Sequence, residues 1–194
     1  MEEDRANGHE LVGHRRPGLV GRLPAGRLVE LWPRAASRVV KHGFAVELAD
    51  LDPPRTGIFD GLKIVIDPDV PFEMQCFVLL HLFGHSVQWT APTLAAELDG
   101  LQHTTDKGAF MKVLQAYEYQ AAQFGKQLLD ETALGGLDRW YSDFVATDWK
   151  YVERFYQTEA IPPWEECGTE AASIIQPLEI PKLQHRKVEV RYAF

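Results

Sequence analysis

The sequence is poor in cysteine. Its two cysteines, Cys76 and Cys167, stand far apart and form no CxxC pair. That excludes a disulfide framework and fits a reducing compartment. Cys76 lies inside an apolar run and reads as a small buried hydrophobe. Long hydrophobic runs are missing too. The longest, Cys76–Phe83, has eight residues and contains a histidine, far short of the roughly 20 that a membrane span needs. The opening MEEDRANGHE is polar and acidic, unlike a secretory signal. The expectation is therefore a soluble, cytoplasmic protein.

Excess positive charge is lacking as well. The net charge is −8 and the pI about 5.4, which argues against a surface that as a whole attracts nucleic acid or anionic membrane. The basic residues Arg15, Arg16, Arg22, Arg27, Arg34, Arg38 and Lys41 crowd the first quarter and read as a solvated helix face plus a basic arm. Internal repeats and low-complexity tracts are absent. With 194 residues, 45% hydrophobic and 25% charged, the chain is long enough for one sizeable core. The expected organisation is a flexible arm over 1–22, one domain over 23–176, and a C-terminal strand or extended tail over 177–194.

Within that domain, Leu28, Leu31, Ala35 and Val39 recur at three-to-four spacing, predicting a helix from Pro24-Ala25 to Lys41 that stops before Gly43. Phe44–Leu48 alternates like a short strand, 50–57 reads as a Pro/Gly loop, and Leu62–Ile66 is a β-branched strand. Phe72–Trp89 is apolar nearly all round and is expected to be the central buried helix. A polar loop over 90–107 leads to a helix over 108–130. Gly135-Gly136 breaks the pattern, and a further helix spans Leu137–Thr158. Its aromatics Trp140, Tyr141, Phe144, Trp149, Phe155 and Tyr156 read as packing onto the core, or alternatively as a binding face. Lys187–Tyr192 alternates and fits an edge strand or an extended arm. The fold class is α+β: a small N-terminal sheet packed on a mainly helical core, followed by an extended C-terminal tail.

The chemistry concentrates in His81-Leu82-Phe83-Gly84-His85. A four-residue spacing on a helix puts both imidazoles on one face, a turn apart, where their nitrogens can converge on one ion. Two imidazoles buried in so apolar a helix each need a partner, and a divalent cation, zinc by ligand type, would serve both. A third ligand must come from elsewhere. Glu118 is the acidic residue at the centre of the 108–130 helix, with Leu114, Ala121, Ala122, Phe124 and Leu128 about it at helical spacing. A core-facing carboxylate needs a cation or several donors; the other reading is an exposed glutamate between two tyrosines. Gln88, seven residues after His81, shares its face and is placed to hydrogen-bond a ligand.

The order helix 25–41, GIFDGLKIVIDP, FVLLHLFGH, EYQAAQFGKQLL resembles the ImmA/IrrE family of zinc metallopeptidases over about residues 25–130. The matching residues are Phe77, His81 and His85, then Glu118, Ala121, Phe124, Leu128 and Leu129. The resemblance implies a gluzincin-type site with His81, His85 and Glu118 as zinc ligands. It also implies pairing with a helix-turn-helix repressor as protein partner. Two departures stand out. Leu82 occupies the position of the family's glutamate, which moves protons to and from the reacting groups, and leucine cannot; such a loss typically costs about 10²–10⁴-fold in rate. Ala122-Gln123 replaces the acidic or amide residue after the alanine. Substitute catalytic candidates are His103 and Tyr119, with Glu73, Glu97 and Tyr117 also near the site elements in sequence. Three functions stay open: a metal-binding, catalytically impaired relative acting through a partner or regulation; an active zinc peptidase or amidohydrolase with a relocated base; and a metal-free interaction module.

Overall fold

A computed structural model describes residues 25–92, 107–188 and 191–193. Helix α1 (Ala25–Lys41) buries Leu28, Leu31, Ala35 and Val39, the stripe expected from their spacing. It ends at Gly43, whose φ of +92° lies in the left-handed region that glycine adopts without strain. On its basic face, Arg34 donates to the carbonyl of Thr132 at 3.3 Å, tying the helix to a distant part of the chain.

Four short strands form one sheet in the order β1-β3-β2-β4: β1 (Ala45–Leu48), β2 (Gly57–Phe59), β3 (Lys63–Ile66) and β4 (Arg191–Ala193). β1 runs parallel to β3, β2 pairs antiparallel with β3, and β4 pairs antiparallel with β2. Strand β2 corrects the sequence reading, which placed Gly57 in a loop and left 58–59 unassigned. Three residues between turns carry no period to detect. Their strand character comes from pairing with Ile64–Ile66 across a turn in which Asp60 Oδ1 accepts from the amides of Leu62 and Lys63, both at 3.0 Å.

Helix α2 (Phe72–Thr90) is buried continuously from Met74 to Thr90, with the sheet and α1 on one side and α3 (Lys107–Glu131) on the other. α3 runs against α2 at very close range. A Cβ on Gly84 would lie 2.0 Å from the carbonyl oxygen of Ala121, and one on Gly125 would lie 2.7 Å from the carbonyl oxygen of Leu80. With Gln88 Nε2 donating to the carbonyl of Tyr117 at 2.8 Å, the antiparallel pair steps through 80–125, 84–121 and 88–117, one turn at a time. That register brings the two histidines of α2 opposite Glu118 of α3.

Helix α4 (Asp138–Thr158) packs on α3 through Tyr141, whose hydroxyl donates to the carbonyl of Ala122 at 2.9 Å. Trp140, Tyr141, Phe144 and Tyr151 are buried, whereas Tyr156 near its end is exposed, so this aromatic helix faces the core along most of its length. Beyond a 3-10 turn at Trp164–Glu166, the chain has no helix or strand over 167–188 and wraps back across the molecule. The amide of Ile175 donates to Ser142 Oγ, that of Leu178 to the carbonyl of Gln123, that of Gln184 to the carbonyl of Thr90, and that of Val188 to the carbonyl of Asp60. β4 follows at the sheet edge, at the end of the stretch expected to form one. The architecture is α+β. No described helix is long and apolar enough to cross a membrane.

Candidate metal centre

His81 Nε2 lies 3.0 Å from His85 Nε2 and 3.6 Å from Glu118 Oε2, and His85 Nε2 lies 3.2 Å from the same carboxylate oxygen. Both histidines are buried, and the Glu118 side chain is 16% exposed. The hydrogen positions follow from the surroundings. Gln88 Nε2 donates to the carbonyl of Tyr117 and to Gln120 Oε1 at 2.8 and 2.9 Å, so its Oε1 is the end that faces His85 Nδ1 at 2.9 Å. A carbonyl oxygen only accepts, so Nδ1 carries the hydrogen and neutral His85 turns a bare lone pair at Nε2 toward the cluster. On the outer side of His81, Asp148 Oδ2 stands 3.8 Å from Nδ1. That is longer than a hydrogen bond, but a carboxyl oxygen there, an acceptor in either protonation state, favours the hydrogen on the same nitrogen.

Two imidazole lone pairs and a carboxylate thus meet at one point. Acceptors crowded this way need a cation between them, either a proton or a metal ion. The three residues form a group that could hold a metal ion, their ligand atoms all within 4.8 Å of one another. The titrations point the same way. Burial and the neighbouring His85 push His81 down to about 3. Burial alone would lower His85 too, but the charge and hydrogen bond of Glu118, helped by Gln88 and Asp148, raise it above its ordinary value. Glu118 would be raised by burial, yet the two histidines hold it below the usual carboxylate range. The site draws one positive charge into the core.

The chain brings together His81, His85 and Glu118 from α2 and α3, and Gln88 is hydrogen-bonded to a histidine of the group. Other candidates fall elsewhere. His103 and Glu97 lie outside the described residues. Glu73 accepts from Trp140 Nε1 at 2.9 Å. The ring of Tyr117 packs on His85 with centroids 4.7 Å apart, and its hydroxyl accepts from Trp89 Nε1 at 2.9 Å. Ala122 is buried, and the backbone of Gln123 receives the tail at Leu178. Leu82 is 1% exposed, and a Cβ placed on Gly57 would lie 2.7 Å from its Cδ1, so its side chain packs under β2.

Beside the group lies a cavity of about 220 Å³, lined at its polar end by His81, Glu118 and Asp148 and walled by Val145, Trp149 and Ile175 among others. Exposed Tyr119 also lines it. Sequence reasoning missed Asp148. Burial, then the charge of Glu118, raise its carboxyl to about 8, with His85 pulling the other way. A signal existed: Tyr141, Phe144, Asp148 and Tyr151 follow one another at three-to-four spacing, which puts the carboxylate in the buried stripe of α4. Three other acids in the same helix, Asp138, Asp143 and Glu153, concealed it.

Comparison with known proteins matches no family model, no curated protein and no solved structure.

Proposed function

We propose that this chain is a zinc-binding protein of metallopeptidase type, akin to the ImmA/IrrE family, impaired in peptide cleavage and acting through a bound partner or ligand in the cytoplasm. One observation carries the reading: His81 Nε2, His85 Nε2 and Glu118 Oε2 stand 3.0, 3.2 and 3.6 Å apart. Those separations bracket the edge of roughly 3.3 Å expected of a tetrahedron built on bonds of about 2.0–2.1 Å, the zinc–imidazole length. Two neutral imidazoles and one carboxylate are a usual ligand set for that ion. Gln88 holds His85 with its lone pair turned inward, as the outer hydrogen-bond partners of metal-binding histidines do. A bound zinc ion supplies a Lewis acid that polarises a carbonyl. At the family's proton-transfer position Leu82 carries no group able to take or give a proton, which supports the impaired reading. By family analogy the partner is a helix-turn-helix repressor.

A second reading, an active amide or ester hydrolase, is favoured by Asp148. It lines the same cavity as His81 and Glu118, where a carboxyl group is positioned to handle a proton.

Elemental analysis of protein purified without added metal tests the metal centre. The expected result is about one zinc per chain, lost in His85→Ala. Less than a tenth of an equivalent of any divalent metal in the wild type overturns the proposal. Chelator-sensitive cleavage of peptides or esters by the zinc-loaded wild type replaces the impaired reading with the second one.

A further inference from the structure

The cavity beside the three ligands differs from a surface groove in being two-sided. His81, Glu118 and Asp148 line it on one side, apolar Val145, Trp149 and Ile175 line it on another, and a few neutral polar side chains complete it. Among the described residues no lysine or arginine lines it, so the lining offers no cationic side chain for a phosphate or a sulfate. Its size is the other constraint. An apolar cavity of about 150 Å³ holds one benzene molecule, and this one measures about 220 Å³. That leaves room for a single ring and a few more atoms. Trp149 on α4 offers a flat face against which such a ring can lie. The extended segment 171–175 borders the pocket and leaves it partly open, pinned where the amide of Ala171 donates to Asp143 Oδ1 at 2.8 Å and that of Ile175 to Ser142 Oγ at 3.0 Å.

We propose that this cavity binds a small aryl-acyl compound, with one aromatic ring between Trp149 and Val145 and its carbonyl group directed at the His81–Glu118 end. The inference rests on the zinc reading above and adds to it the chemical class of the ligand. Asp148 faces the same space and accepts a hydrogen bond from an N–H or O–H next to the carbonyl.

Benzohydroxamate and acetohydroxamate serve as probes, since both carry the same metal-binding group and only the first has a ring. They are titrated calorimetrically into the full chain after zinc loading, with zinc content measured on the same samples. Burying the ring in an apolar pocket is expected to favour benzohydroxamate by about 30-fold in Kd. In Ala146→Phe, where the new side chain fills the space, that ratio falls to about 1 while zinc content is unchanged. Ala172→Phe, made on the exposed lining segment, does the same if the helix substitution fails to fold. Equal affinities in a zinc-loaded wild type overturn the pocket and leave the metal centre standing, as does a preference that survives both substitutions. A chain that takes up no zinc overturns both.

Discussion

Replacing Gln88 by leucine tests whether the hydrogen on His85 sits where the geometry puts it. Gln88 does two jobs: its Oε1 accepts from His85 Nδ1 at 2.9 Å, and its Nε2 donates to the carbonyl of Tyr117 and to Gln120 Oε1. Leucine fills much the same volume and does neither. The imidazole is then free to move its hydrogen to Nε2 or to turn, and losing such an outer partner typically lowers metal affinity about 10–100-fold, or about 1.4–2.7 kcal/mol. Metal-free stability falls too, because His85 Nδ1–H is left buried without an acceptor, at about 1–3 kcal/mol; the half-buried Gln120 can turn to water. Competition against a chelating dye gives the zinc Kd, and thermal melts in EDTA give the second quantity. Gln88→Glu, which keeps an acceptor for His85, is expected to retain more affinity than the leucine variant. A zinc Kd for Gln88→Leu within twofold of wild type refutes the tautomer argument, and with it the claim that the two Nε2 lone pairs face each other.

The metal-free protein should lose stability between pH 6.5 and 8. Asp148, raised to about 8 in the fold against about 3.9 unfolded, binds a proton more tightly when folded, so its contribution is lost as pH rises, by roughly 1.5 kcal/mol over that window; raised His85 adds in the same direction. His81, lowered to about 3, acts oppositely, mostly below about pH 6.5, and offsets only about 0.4 kcal/mol within the window. Melting temperatures in EDTA should therefore decline across the window in wild type and much less in Asp148→Asn; parallel declines would discard the assignment. Gly84→Ala must push α2 off Ala121, whose carbonyl oxygen would stand 2.0 Å from the new Cβ. It should cost about 1–3 kcal/mol or more in urea unfolding and weaken zinc binding, whereas Gly26→Ala, in the first turn of α1 with nothing within 4 Å, should leave zinc binding unchanged and not lower stability.

The sequence by itself determined the elements whose residues repeat. α1 shows in Leu28–Leu31–Ala35–Val39, the central helix in an apolar run too long for a strand, and the histidine pair in one helical turn, because a helix face is a local property with a fixed period. Gln88 was legible for the same reason: it shares that face. What only the tertiary structure decided is non-local. β2 is a strand because β3 lies beside it, and three residues cannot announce that. Whether Glu118 faced the two histidines or solvent depended on how closely two helices approach, which Gly84 and Gly125 set by having no Cβ. Asp148 was the largest omission, one of four acids in its helix. It acquires meaning only where α4 crosses the end of the site, since burial and the field of Glu118, not its neighbours in the chain, shift its proton affinity.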